Sequence, residues 1–240
     1  MHAPKRILVT RPQPQAAATA ARLEALRYET IVLPVTQASH DPQAARNALT
    51  LPHDAIAVTS AEAIRALSVI KEPALPDLTP IVFCIGASTA KAARNAGFHH
   101  VVSADGTGAS LAALIVERRA DLRNGLLYLA GMPRSPGFEA TLQDAGITCH
   151  VVEVYSMLPI ARRPAMIDDL LCRQPADAAL FYSYETARLF FMSLPAKAAE
   201  ALSGKRMLCL SPHVAEAVPD GFGPVSIAAA PHEDALFDLL

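Results

Sequence analysis

The stretch from Gly125 to Met157, GLLYLAGMPRSPGFEATLQDAGITCHVVEVYSM, reads as strand, turn, helix, turn, strand, and a near-copy of it opens the chain. Set back by 119 positions without a gap, it lays Leu127 on Leu8, Pro133 on Pro14, Leu142 on Leu23 and Val154 on Val35. A second pair of copies stands at an offset of 123, where Asp54-Ala-Ile-Ala-Val-Thr-Ser60 returns as Asp177-Ala-Ala-Leu-Phe-Tyr-Ser183. Glu62 and Arg65 return with it as Glu185 and Arg188. One copy of the first unit begins the chain and the other stands in its middle. The simplest path therefore begins one domain, crosses into a second, completes that one, and crosses back.

The 240 residues suit two domains of about 100–120 residues, each large enough to bury its own core. A chain that is 52% hydrophobic and 18% charged is not a disordered one. Alanine dominates, which predicts helices packed closely on their sheets through small side chains. The formal net charge of −2 speaks against a nucleic-acid binder. Cys84, Cys149, Cys172 and Cys209 show no metal or redox spacing; the first, second and last lie in apolar runs and read as buried thiols. No apolar run approaches the roughly 20 residues that span a bilayer, and MHAPKRILVTRP lacks the apolar core of a signal peptide. The expected compartment is the cytoplasm, without a membrane.

Short apolar runs followed by turns predict buried parallel strands at Arg6–Thr10, Asp54–Thr59, Ile81–Ile85, Ala178–Tyr182, Lys205–Leu210 and Val225–Ala229. Helices are expected over Ala16–Arg27, 41–50, Ala61–Ile70, Ala90–Ala96, Ala109–Arg118, Ala165–Cys172 and Pro231–Leu240, with a Pro-rich loop at Pro73, Pro76 and Pro80. Strands alternating with helices predict parallel sheets covered on both faces. The fold class is thus α/β: two similar parallel-sheet domains joined by a two-stranded antiparallel ribbon, with an open cleft between them. One domain takes 1–33 and 158–240, the other 38–151, with linkers at about 32–37 and 152–157.

Ligands of parallel α/β sheets bind beyond the carboxyl ends of the strands. Those ends carry Arg11, Ser60, Gly86, Ser88, Thr89, Ser110, Arg134, Ser183, Tyr184 and Ser211. Most begin helices, whose unpaired N–H groups suit carboxylates or phosphates. Ser60, Ser183 and Thr89 fit equally the role of plain N-caps, and Arg11 and Arg134 that of ordinary surface arginines. Gly106-Thr-Gly108 has no phosphate-loop lysine, no GxGxxG follows a strand, and neither HExxH nor GxSxG occurs. Nucleotide, metal and serine-hydrolase chemistries are not expected. Tyr155 ends the second crossing strand, where a phenol can donate a proton or hold a departing hydroxyl; an amphipathic strand-end tyrosine is the plainer alternative.

Val9-Thr-Arg-Pro12, Leu33-Pro-Val35, Val58-Thr-Ser60, Ile85-Gly-Ala-Ser-Thr89 with Gly97, and Val152-Glu-Val-Tyr155 together resemble the uroporphyrinogen-III synthase family, along essentially the whole chain. The resemblance implies two α/β domains joined by a two-stranded ladder. It also implies closure of linear hydroxymethylbilane into a macrocycle with its last pyrrole inverted, water lost, and neither metal nor organic cofactor. The terminal hydroxyl would leave an azafulvene, and a spiro intermediate would reclose with that ring turned over. Tyr155 matches the family's tyrosine and would assist hydroxyl departure, while the strand-end residues above would hold the substrate's carboxylates. The chain is expected to act as a monomer; the alternative is a non-catalytic two-domain binding protein for a small polyanion. Two departures stand out: Arg27 where the family commonly has the glycine that Gly146 keeps, and Ser211-Pro-His213-Val214 in place of the Gly86…Thr89 pattern.

Overall fold

The computed structural model describes residues 5–69 and 79–240. Pro73, Pro76 and the end of the helix expected to reach Ile70 lie outside the described residues. The chain divides into two compact units, one of Met1–Gln37 with Leu158–Leu240, the other Ala38–Met157.

In the first unit, strands β1 (Arg6–Val9) and β2 (Glu29–Val32) flank helix α1 (Gln15–Ala25). Next in chain order come β3 (Thr36–His40), whose first two residues still belong to the first unit, α2 (Pro42–Ala48), β4 (Ala55–Val58), α3 (Ala61–Ser68), β5 (Ile81–Cys84), α4 (Ala87–Asn95), β6 (Val101–Ser103), α5 (Gly108–Glu117), β7 (Leu126–Met132), α6 (Gly137–Asp144) and β8 (Cys149–Pro159), whose last two residues belong to the first unit again. The first unit resumes with α7 (Pro164–Arg173), β9 (Ala178–Phe181), α8 (Tyr184–Ser193), α9 (Ala196–Leu202), β10 (Arg206–Cys209), α10 (Pro212–Ala215), β11 (Val225–Ile227) and α11 (Glu233–Phe237).

The strands form two separate sheets, ordered β11-β10-β9-β1-β2 and β3-β8-β7-β4-β5-β6. Parallel pairing runs through the first sheet and from β8 to β6 in the second. Reading β1, β2, β9, β10 and β11 against β7, β8, β4, β5 and β6 gives the same neighbours in both, so one unit is a permutation of the other. The matching extends to single hydrogen bonds. The Asp177 N–H donates to Arg6 O (2.8 Å) and the Asp54 N–H to Gly125 O (3.0 Å), and Gly125 is the residue that the 119 offset lays on Arg6. Each aspartate side chain then accepts a backbone N–H at the start of the neighbouring strand, from Arg6 and from Asn124.

Alternation along the strands fills both faces of each sheet. In the first unit Leu8 joins Phe181, Phe190 and Leu202 on one side, while Ile7 and Val9 join Leu23, Leu180 and Leu236 on the other. In the second, Ile56, Val58, Leu127 and Leu129 pack on Ala45, Ala63, Ala66, Ala90 and Ala93; the opposite face packs Phe83 and Tyr128 on Leu111, Ile115 and Phe138. The small residues of α2, α3 and α4 let those helices lie close to the sheet. A fully buried phenylalanine such as Phe83 contributes roughly 2–3 kcal/mol.

Several boundaries differ from expectation. The β-branched, apolar run Thr30–Val35 is strand only as far as Val32, and Leu33 and Val35 bury their side chains in the first unit's core. The next strand is Thr36–His40. It neighbours β8, the Asp41 N–H donating to Val154 O (2.8 Å). Strand β8 runs from Cys149 to Pro159, through the segment 152–157 and two residues beyond it. Helix α9 was not foreseen, and the last helix covers only Glu233–Phe237. Cys84 and Cys209 are buried, with thiols pushed up by desolvation to about 12 and about 11. Cys149, also expected buried, is only half so. No helix among the described residues is long and apolar enough to cross a membrane.

Candidate active site

In the second unit the order of strands reverses direction between β4 and β7, the position at which open α/β sheets leave a crevice at their carboxyl edge. The residues that end those strands meet there. Thr59 Oγ1 lies 3.0 Å from the hydroxyl of Tyr128, a buried residue of β7 packed edge-on against Phe138. Ser60 caps α3, accepting the Glu62 N–H at 3.1 Å. Its hydroxyl lies near enough to the phenol of Tyr155 to pull that phenol's pKa down.

Tyr155 reaches this place through an irregularity of β8. Ala130 of β7 pairs with Glu153 and Gly131 with Tyr155, so one extra residue, Val154, is inserted. Before it, β8 alternates normally: Cys149 and Val151 pack on one face, Val152 and Val154 on the other. After the bulge Tyr155 lies on the same side as Val154. Regular alternation would have put the phenol on the opposite face of the sheet. Burial raises its pKa above the ordinary phenol range, helped by nearby Tyr128 and Glu62 and opposed by the Ser60 hydroxyl. Tyr155 is accordingly a protonated O–H donor at neutral pH. It borders a recess of about 450 Å³ shared with Ser39, His40 and Glu153.

Beneath Ser60, the carboxylate of Glu62 is 4% exposed and bonds Arg65 and His40 Nε2, the latter at 2.9 Å. At the end of β5, α4 starts on Gly86, which has no side chain to cap the first turn; Ser88 is exposed and Thr89 buried. Ser110 is committed to a capping box with Thr107. Arg134 is held by Glu139 (2.6 Å) and Glu153 (2.8 Å), which raise its pKa. It is thus a tie between two internal carboxylates rather than an open cation.

The carboxyl edge of the first unit is built from the corresponding residues. Ser183 and Ser211 cap α8 and α10, accepting from Thr186 N and Val214 N. Tyr184 stacks on His213 at 4.6 Å, with the rings 4° from parallel. Arg11 lies over the Tyr182 ring at 4.0 Å and donates to Glu233 at 2.9 Å. Glu233 also accepts from Thr19 (2.6 Å), Tyr182 (2.7 Å) and Arg22. Desolvation pushes its pKa up, but those hydrogen bonds and the two arginines outweigh it and leave it lowered.

Sequence reasoning missed Glu233, His40 and the role of Tyr128. Only Tyr128 left a signal: a tyrosine inside a buried strand must find a partner for its hydroxyl, which marks a polar neighbour near the strand end. The described residues contain no cluster of three or more His, Cys, Asp and Glu suited to a metal.

Comparison with known proteins follows the same lines. A mutant uroporphyrinogen III synthase from the extremely thermophilic bacterium Thermus thermophilus aligns at 21% identity and TM-score 0.56, over 98% of this chain and 96% of that one. The uroporphyrinogen-III synthetase from Helicobacter pylori 26695 aligns at 17% and TM-score 0.64, over 98% and 97%. At such identities they show the fold alone. A search of curated proteins finds no significant match. The family model described as uroporphyrinogen-III synthase HemD matches residues 17–238, nearly the whole of both units. With a match of that extent on a permuted pair of α/β units, the chain belongs to the uroporphyrinogen-III synthase family.

Proposed function

We propose that the chain performs its family's ring closure as a hydro-lyase, with Tyr155 as the proton donor. The reaction cyclises linear hydroxymethylbilane with inversion of the terminal pyrrole and loss of water, a step of tetrapyrrole and heme biosynthesis. The observation that carries the role of Tyr155 is its protonated phenol, held beside the Ser60 hydroxyl at the carboxyl edge of the second unit's sheet.

As the terminal C–O bond breaks, Tyr155 gives its proton to the departing hydroxyl, which leaves as water. The phenolate that remains is stabilised by the Ser60 hydroxyl. That assistance lowers the barrier by about 1–3 kcal/mol. The remaining work is positioning, since the substrate closes without inversion if its ends simply meet.

The substrate's carboxylates are assigned to the strand ends. In the second unit these are Ser60, the uncapped first turn at Gly86, Ser88 and Thr89, and Ser110 and Arg134; in the first, Arg11, Ser183, Tyr184 and Ser211. The two arginines act with their internal carboxylates in place, so they orient hydrogen bonds more than they supply net charge. The reading calls for no cofactor, and for a monomer working in the cytoplasm.

Incubation with hydroxymethylbilane should yield the inverted isomer in excess over the spontaneous one, resolved chromatographically after oxidation to porphyrins. An isomer ratio equal to that of the blank would remove the catalytic claim. Tyr155→Phe should lower kcat about 10- to 100-fold with an unchanged circular dichroism spectrum; a wild-type rate would reduce Tyr155 to a structural residue.

A further inference from the structure

We propose that Gly131 is the positioning residue for Tyr155: the missing side chain at this point of β7 is the space through which the phenol reaches Ser60. The inference rests on the reading of Tyr155 as proton donor for its consequence on rate, while its geometric content stands apart from that reading.

A Cβ built on Gly131 would lie 2.0 Å from Tyr155 Cζ, 2.3 Å from its hydroxyl oxygen and 2.5 Å from Cε1. Real Cβ atoms essentially never come within 3.0 Å of another residue's heavy atom. The contact involves the outer half of the ring, the part that carries the reacting proton. Gly131 and Tyr155 are also register partners, at the point where the bulge inserts Val154. Bulges are rare between parallel strands and often re-aim a side chain.

The backbone supplies no other reason for glycine here. Gly97, Gly106, Gly125, Gly146, Gly204 and Gly221 have positive φ, and Gly131 does not. Its conformation is one that any residue adopts, and glycine within a strand commonly marks a close approach. The first unit gives an internal control. The offset that matches the two copies lays Gly131 on Pro12 and Tyr155 on Thr36, a small and buried residue. Where the large ring is absent, so is the glycine.

In the test, Gly131→Ala, Tyr155→Phe and the double variant are assayed with hydroxymethylbilane. Gly131→Ala should lower kcat by the same 10- to 100-fold as Tyr155→Phe, with KM within about threefold of wild type. The double variant should be no slower than either single. Wild-type kcat in Gly131→Ala, or a double variant slowed by the product of the two single effects, would overturn the proposal. Thermal unfolding gives a readout independent of catalysis. Gly131→Ala should lower Tm in the wild-type background and leave it unchanged or raised beside Tyr155→Ala, where no ring competes for the space. Equal Tm losses in both backgrounds would overturn it. If Gly131→Ala does not fold, folding of the Gly131→Ala/Tyr155→Ala protein supports the proposal and its failure to fold overturns it. A wild-type rate in Tyr155→Phe would remove the catalytic reading and leave the Tm comparison to decide on Gly131.

Discussion

The corner where β4 meets α3 and the corner where β9 meets α8 start from the same residues and arrive at different chemistry. Both have an aspartate tied to the neighbouring strand, a serine capping the helix and a Glu–Arg pair at i,i+3. In the second unit the Glu62 side chain is 5% exposed and bonds both Arg65 and His40. In the first, Glu185 is 42% exposed and pairs with Arg188. The neighbour that makes the difference is His40, at the end of the crossing strand β3. The same local motif is therefore a buried polar network in one copy and a solvated surface pair in the other. Its worth is set by what the rest of the chain lays over it.

The first unit places its own buried network elsewhere, and the largest effect is expected there. Glu233→Gln should lower the stability to urea by about 2–3 kcal/mol, because it loosens Arg11, Arg22, Thr19 and Tyr182 together. Since the folded carboxyl titrates below its unfolded value, its contribution is fully present above the unfolded pKa of about 4.3. It is lost as pH falls through the lower folded value. The Glu233→Gln protein should show a shallower stability loss over that acid range in pH-dependent urea unfolding, and an unchanged slope would mean that another group governs it.

Glu62→Gln should cost about 2 kcal/mol by the same measurement, whereas Glu185→Gln should cost at most about 0.5 kcal/mol. Equal losses would erase the contrast between the two corners.

A smaller effect tests the helix ends. Arg27 has φ 66° and Gly146, its counterpart, φ 71°. Both end a helix in the left-handed conformation that disfavours a side chain. Arg27→Gly should raise stability by about 0.5–1 kcal/mol and Gly146→Ala lower it by about 1 kcal/mol. Opposite signs sharpen the equivalence of the two copies; like signs would break it.

Much of the architecture was legible because the repeats carry their own local signals. Alternating apolar runs, serine caps at Ser60, Ser183 and Ser211, and the helix-ending glycines Gly97 and Gly146 all report on neighbours a few residues away. The site was legible only as a set of strand ends. Arg11 and Arg134 looked alike as anion-binding candidates, yet each is held by carboxylates that no spacing announces. Glu233 lies 222 positions from Arg11, while Glu153 approaches Arg134 from the adjoining strand.

The sequence by itself determined the permuted order of the two units, their parallel sheets and the presence of a tyrosine in the second crossing strand, which runs on past it to Pro159. Periodicity and offset are properties of the linear chain, so they can be read without coordinates. Only the tertiary structure decided on which face that tyrosine emerges, because a single inserted residue reverses the alternation of a strand and shows itself only against its partner. It also decided which charges remain open to a ligand, since that depends on groups brought together from distant parts of the chain.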